Sequence, residues 1–391
     1  MSGPDLSPAG DVPRLLVVTN DFPPRPGGIQ SFVHGVVSRL PPDRVTVLTS
    51  RWRGWEEWDA GVPFTVVRHD TSMLLPTPEV RRRAARLMVD RASSAVWFGA
   101  AAPLGLIAPA LREAGADRLV ATTHGHEAGW ARLAGARSVL RRIAASVDVL
   151  TYLGDYTRTR LAAAIAPYDD RLARLVPAVD ADHFRPDAGG AERRAQLGLA
   201  DRPVIVCVSR LMPRKGQDVL IRALPAIRRR VPDAALVLVG GGPARNRLTR
   251  LAAEHAVTDH VVFTGSVAHD QLPAWYGVGD VFAMPCRERA AGFDIEGLGM
   301  VFLEAAACGL PVVVGRSGGS VDAVLDGQTG ELVDGTSPGE VAESVAGLLA
   351  DPVRAGAMGD RGRAWVRDAW SWETTVAAFS AMVGSQLRVR E

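Results

Sequence analysis

Lysine is nearly missing from this chain. Of 45 basic residues, 44 are arginine and one is lysine, Lys215. A general bias toward arginine would explain the excess, but not the place of the exception. Cysteine is also scarce. The three present, Cys207, Cys286 and Cys308, are odd in number and widely spaced. That excludes a disulfide framework and a cysteine metal motif. Cys207 and Cys308 sit in apolar runs and read as buried thiols, which fits a reducing, cytosolic compartment. Charge of either sign lacks a large excess. A formal charge of +2 argues against a general nucleic-acid binder. Long apolar runs are broken. Ser93–Leu111 carries no charge, but Gly99, Pro103, Gly105 and Pro109 interrupt it. It reads as a strand followed by a helix, not as a membrane span. The start, "MSGPDLSPAGDVPR", lacks the basic and apolar regions of a signal peptide.

What is present is an ordinary soluble composition, 47% apolar and 23% charged, over 391 residues. That length exceeds one core, so two domains are expected. Short β-rich runs alternate with helical patterns, the rhythm of α/β units with parallel sheets. In the first half the strands are "RLLVVT", "RVTVLT", "FTVVRH", "AVWFG", "RLVATT" and "DVLTYL". The pattern loosens near "LVPAVDADHFRPDAGG", where Pro186, Gly189 and Gly190 mark a linker. It restarts with "PVIVCVS", "AALVLVG", "HVVFTG", "VFAMP" and "PVVVG". The last segment, "SWETTVAAFSAMVGSQL", reads as an amphipathic helix. The expected domains are 1–182 with a returning helix 373–391, and 183–372. Sheets of this kind bind ligands beyond the carboxyl ends of their strands.

Four stretches carry candidate chemistry. In "TNDFPPRPGGIQSF", Gly27 and Gly28 lie between a strand and a helix. There backbone can approach a phosphate and the helix N-terminus favours an anion, though a plain tight turn fits as well. In "VATTHGHEAGW", His124 and His126 follow a strand end, the usual place for functional groups. Glu127 is the one further nearby ligand, so a metal site is not expected. In "VSRLMPRKGQD", Arg210 and Lys215 stand before a helix. The helix dipole repels them there unless an anion lies between them. Arginine forks onto phosphate oxygens, while lysine brings a compact point charge. In "DIEGLGMVFLEAAACGLP", the amides of Leu298, Gly299, Met300 and Val301 can point at an anion. Glu296 and Glu304 flank them, and carboxylates there suit sugar hydroxyls better than phosphates.

Taken together, R-x4-K, E-x7-E, "GGIQ" and the final "SWE" resemble the family-four glycosyltransferases of the GT-B fold. The resemblance covers nearly the whole chain. "NDFPPRPGGIQSF", "TTHGHEAGW" and "EGLGMVFLEAAACGLPVV" are similar to the actinobacterial mannosyltransferases that build phosphatidyl-myo-inositol mannosides. The resemblance implies two Rossmann-like domains facing across a cleft, with the last helix crossing back to the first domain. It implies GDP-mannose as donor, a lipid-linked inositol acceptor, α-1,6 linkage, retained anomeric configuration and no metal or other cofactor. Arg210 and Lys215 would neutralise the diphosphate. Glu296 would hold sugar hydroxyls near the amides of Leu298, Gly299, Met300 and Val301. Glu304 would bind the ribose and Val267 would border the base. His124 would contact the sugar and help stabilise charge near the anomeric carbon. Gly27 and Gly28 would close over the diphosphate, with Asp21 and Gln30 on the acceptor side.

A lipid acceptor also calls for peripheral contact with an anionic membrane on its cytoplasmic face. "EVRRRAARLMVDRA" carries Arg81, Arg82, Arg83, Arg86 and Arg91 beside Leu87, Met88 and Val89. A basic amphipathic helix suits that surface, and a solvated helix face suits the same residues. Three other readings remain: a related transferase with another donor or a soluble acceptor, a sugar-nucleotide epimerase, and a binding module without turnover. A phosphorylase would need a pyridoxal lysine, and the one lysine lies at the phosphate position.

Overall fold

The computed structural model describes residues 13–384. The stretch read for a signal peptide lies mostly outside these residues, as do the last residues of the expected helix 373–391. The chain divides into two compact units. Unit 1 comprises the chain through Leu153, Thr157–Pro177, and the segment from Trp372 on. Unit 2 comprises Gly154–Tyr156 and Ala178–Ser371. The change of unit therefore falls at Pro177–Ala178. It lies inside the stretch read as a linker, whose Pro186, Gly189 and Gly190 belong to unit 2. There Phe184 is buried against Tyr276, with ring centroids 5.9 Å apart. A Cβ on Gly190 would lie 2.4 Å from the Gly277 backbone, so this glycine serves close packing.

Unit 1 is built on strands β1 (Leu15–Val18), β2 (Val45–Ser50), β3 (Thr65–His69), β4 (Ala95–Phe98), β5 (Arg118–Thr122), β6 (Val149–Tyr152) and β7 (Leu172–Arg174). All pair in parallel, in the order β3-β2-β1-β4-β5-β6-β7. Unit 2 holds β8 (Val204–Val208), β9 (Ala235–Val239), β10 (Val261–Gly265), β11 (Val281–Met284), β12 (Val312–Gly315) and β13 (Gly330–Val333). They are again parallel, ordered β10-β9-β8-β11-β12-β13. "LLVV" and "VIVCV" are fully buried, as strands covered on both faces must be. The strand period of two sorts β1 cleanly. Leu16 and Val18 join one core, while Leu15 and Val17 join the other.

The order reverses between β1 and β4 in unit 1, and between β8 and β11 in unit 2. Such switch points open a crevice at the strand carboxyl ends. The final helix, Trp372–Gly384, belongs to unit 1. Its Phe379 ring lies 4.5 Å from that of Trp97, and Thr375 Oγ1 donates to the Val176 carbonyl at 3.1 Å. Burying one such phenylalanine contributes about 1.5–3 kcal/mol. Gly35 lets this helix approach, because a Cβ there would lie 1.9 Å from the Trp372 ring.

Candidate active site

In unit 2 the chain leaves β8 at the switch point and turns through Pro213–Lys215 into the helix Gln217–Arg230. Gly216 makes that turn at φ 77°, and a Cβ there would lie 1.9 Å from the Pro285 carbonyl oxygen. Only glycine fits both demands. The turn delivers Lys215 Nζ to 2.6 Å from Glu296 Oε2. Both residues are buried, at 9% and 8% exposure. The anion expected beside Lys215 is thus, in part, supplied by the chain itself. Arg214 adds to the cluster, with Nη1 3.4 Å from Asp294 Oδ1 and Nε 3.9 Å from Glu296 Oε2.

A second ion cluster steadies the same turn. The Arg287 amide donates to the Arg214 carbonyl at 2.9 Å. Its Nη2 donates to both Asp218 carboxylate oxygens, at 2.9 and 3.0 Å. Arg222 donates to Asp218 Oδ2 at 2.8 Å. Burial alone would raise the Asp218 carboxyl, but the bonds and charges of Arg222, Arg287 and Arg247 outweigh it and hold the pKa low.

Glu296 is aligned through its backbone. Its amide donates to Ser317 Oγ at 3.3 Å, and its carbonyl accepts from the Gly319 amide at 2.9 Å. The loop then passes through Gly299, at φ 85°, into the helix Met300–Ala307. Among the described residues, the amides of Leu298, Gly299, Met300 and Val301 have no carbonyl partner. They form an anion-ready N-terminus. One turn on, Glu304 Oε2 accepts from Tyr276 Oη at 2.6 Å. Burial raises the Glu304 carboxyl above its ordinary value, and the phenol bond offsets part of that rise. Arg210 and Val267 together line a cavity of about 500 Å³ with Gly240, Gly241, Gly242 and Ser266. Arg210 is exposed, and its guanidinium has no ion-pair partner among the described residues.

Unit 1 arranges a different set. Gly27, at φ 154°, precedes the helix Gly28–Val37. A Cβ on Gly27 would lie 2.1 Å from Gln30 Oε1. The buried Gln30 donates from Nε2 to Asp21 Oδ1 at 2.7 Å. His124 follows β5, with Nε2 2.6 Å from the Gly99 carbonyl oxygen. Nε2 therefore carries the proton and Nδ1 presents a lone pair. Burial lowers the His124 pKa against the pull of Glu127, so the imidazole is neutral at pH 7. Any charge that His124 stabilises is met by a dipole rather than by a cation. Glu127 is itself committed, accepting the His124 amide at 2.9 Å. Among the described residues no three His, Cys, Asp or Glu side chains are grouped to hold a metal ion.

Arg214, Asp218, Arg287, Tyr276 and the triple glycine were not singled out from sequence. "VGGGP" after a strand was a usable signal for the glycines. The others depend on pairings across 28 to 80 residues, which leave no local trace.

Two parallel α/β units, the second with an open helix N-terminus beside a buried Lys–Glu pair, match the GT-B class of glycosyltransferases. Solved structures agree on the fold. Anabaena HepE in complex with UDP aligns over 94% of this chain and 98% of its own, at TM-score 0.78 and 19% identity. WaaG, a glycosyltransferase involved in lipopolysaccharide biosynthesis, aligns over 94% and 99%, at TM-score 0.65 and 18% identity. The family model of glycosyl transferases group 1 matches residues 191–365. The GDP-mannose-dependent alpha-(1-6)-phosphatidylinositol monomannoside mannosyltransferase of Mycolicibacterium smegmatis is 52% identical, across 96% of this chain and all of that protein. The Mycobacterium tuberculosis protein of the same name is 53% identical across 93% and 96%. The corresponding Corynebacterium glutamicum enzyme, named for a monoacylated acceptor, is 43% identical across 92% and 95%. This chain belongs to that family of group 1 glycosyltransferases.

Proposed function

We propose that this enzyme transfers mannose from GDP-mannose to a phosphatidyl-myo-inositol monomannoside, forming an α-1,6 linkage with retention at the anomeric carbon. The substrates rest on relatives of that activity at 52 and 53% identity over nearly the full chain. The chemistry rests on one observation, the buried Lys215–Glu296 pair beside the unbonded amides of Leu298 to Val301.

Lys215 uses one N–H on Glu296 and keeps two for the departing diphosphate. With Arg210 it meets the charge that grows as the glycosidic bond breaks, without a metal. Glu296 keeps Oε1 for a sugar hydroxyl. Glu304 keeps Oε1 for the ribose, since Tyr276 occupies its other oxygen. Val267 borders the base in the cavity that Arg210 lines. The roles of Gly27, Gly28 and His124 toward the donor, and of Asp21 and Gln30 toward the acceptor, complete the proposal. His124 contributes the Nδ1 lone pair as an acceptor for a sugar hydroxyl. Attack from the face of the leaving group gives retention.

The enzyme meets its lipid acceptor as a peripheral protein on the cytoplasmic membrane face. The helix Pro78–Asp90 buries Val80, Ala84 and Met88 and exposes Arg81, Arg82, Arg83 and Arg86. Met73, Leu75 and Val89 are exposed nearby in sequence, at 52, 49 and 61%. Among the described residues no helix is long and apolar enough to cross a membrane. The test is transfer of labelled mannose to a phosphatidylinositol monomannoside, with UDP-sugars in parallel. Lipid-linked product with GDP-mannose alone is expected. Product only from another donor would refute the proposed substrates.

A further inference from the structure

Beyond the carboxyl ends of β1 and β2 lies a platform that no role above uses. Trp52 stands two residues past β2 and is 40% exposed. The Arg25 guanidinium carbon lies 5.2 Å from the Trp52 ring centroid. A stacked guanidinium keeps its in-plane N–H donors available for a fork onto an anion. Neither Arg25 nor the exposed Arg53 has an ion-pair partner among the described residues. Arg51 differs, pairing with Asp70 at 2.5 Å. The two loops thus present a partly exposed tryptophan and two cations, Arg25 over its ring and Arg53 next to it in sequence, without ion-pair partners among the described residues.

It is also built from below. Arg68 is buried, and its guanidinium bonds both oxygens of Asp59, at 3.0 and 2.7 Å. The same group donates to the Ser50 carbonyl at 3.0 Å and to the Pro23 carbonyl at 2.6 Å. Ser50 and Pro23 each stand two residues before a member of the platform, Trp52 and Arg25. One buried cation therefore ties the two loops that carry Trp52 and Arg25 to each other. An exposed tryptophan costs apolar hydration that folding alone would remove.

We infer that Arg25 and Trp52 form the subsite for the phosphoinositol head of the acceptor. The inference rests on the function proposed above and adds the residues that recognise its acceptor. Arg25 forks onto the phosphodiester oxygens. The Trp52 face takes the C–H face of the cyclitol ring, an apolar surface bounded by hydroxyls. Arg53 adds a second positive charge for the same phosphate. A bare anion would use the arginines and leave the tryptophan idle. A neutral sugar would use the tryptophan and leave the arginines idle. A phosphorylated cyclitol uses both.

The test titrates the full-length protein with glycerophospho-myo-inositol, free myo-inositol, inorganic phosphate and GDP. Glycerophosphoinositol is expected to bind more tightly than inositol or phosphate. Trp52→Ala and Arg25→Ala should each weaken it about tenfold, with Trp52→Phe recovering most of the loss. The two alanine variants should raise the KM for the lipid acceptor by a similar factor, while affinity for GDP-mannose stays near wild type. Equal affinity for phosphate and glycerophosphoinositol would reduce the platform to an anion site and overturn the inference. So would folded alanine variants with an unchanged acceptor KM, or loss of GDP binding in Trp52→Ala, which would make it a base platform. If the wild type transferred no mannose to the lipid, the proposed function would fail separately. The glycerophosphoinositol titration would still decide this subsite.

Discussion

The two units share a parallel-sheet plan but place opposite kinds of chemistry at their switch points. Unit 2 gathers charge: the Lys215–Glu296 pair, the Asp218–Arg287 clamp and an open helix N-terminus. Unit 1 places a neutral histidine and an amide–carboxylate pair at the corresponding edge. The difference teaches where bond breaking is supported. On the function proposed above, a departing diphosphate would need fixed positive charge at low dielectric, and Lys215 in unit 2 would supply it. On the same reading, an acceptor hydroxyl and a sugar ring would need oriented lone pairs, which the His124 imidazole and the Asp21–Gln30 pair present.

The sharpest way to break this contrast is at the lysine. Lys215→Met should lower kcat about a thousandfold in the mannosyl-transfer assay. It leaves Glu296 buried without its partner, so Tm should fall as well. Pairing it with Glu296→Gln should recover part of the Tm and none of the kcat. A double variant that regained turnover would show that the pair is structural only. Lys215→Arg should also lose activity, because a planar fork does not replace a point charge in a buried site.

On the neutral side, His124→Asn should lower kcat about a hundredfold, as loss of a positioned acceptor does. A stability test goes with it. Burial disfavours the imidazolium, so the unfolded chain takes up a proton first as pH falls. The stability contributed by His124 is full above its ordinary value of 6.5 and is lost as pH drops from there toward the lowered folded value. The variant should lack that part of the slope in Tm measured from pH 7.5 to 5.

Smaller effects should follow from the clamp. Arg287→Ala should lower kcat about tenfold through a looser Lys215 turn, with Arg287→Lys recovering most of it, since a single nitrogen, Nη2, makes both contacts with Asp218. Equal kinetics in all three proteins would remove Arg287 from the positioning role. The mildest change is Glu304→Gln. Its folded carboxyl is raised, so the native state binds the proton more tightly than the unfolded chain. Its contribution is fullest below 4.5 and is lost as pH rises through the folded value. The glutamine should therefore raise Tm at pH 7 more than at pH 4, while weakening donor affinity a few-fold, about 1 kcal/mol. Scanning calorimetry at the two pH values and a GDP-mannose titration would check it.

Much of the fold was legible because it is locally encoded. Eleven strand segments stood out as short apolar runs between helical patterns, and each became a strand. The two strands not read from sequence, β7 and β13, are short and partly exposed at sheet edges. There neither a buried run nor strict alternation is required, so no pattern marks them. The candidate site was legible in residue types more than in partnerships. Lys215 stood out as the exception in an arginine-rich chain, yet nothing in its neighbourhood pointed to Glu296, 81 residues away. Arg68 gave no signal at all, although it orders two loops.

By itself, the sequence determined the two α/β units, the glycine turns and the spacing of Glu296 and Glu304 around one helix N-terminus. Those features follow from side-chain period and from backbone conformations open to glycine, which neighbouring residues set. The tertiary structure alone decided that Lys215 is compensated by Glu296, that His124 is neutral, and that Trp52 is partly exposed beneath Arg25. Charge state and exposure depend on burial and on through-space distance. Both are set by chain segments far apart in sequence.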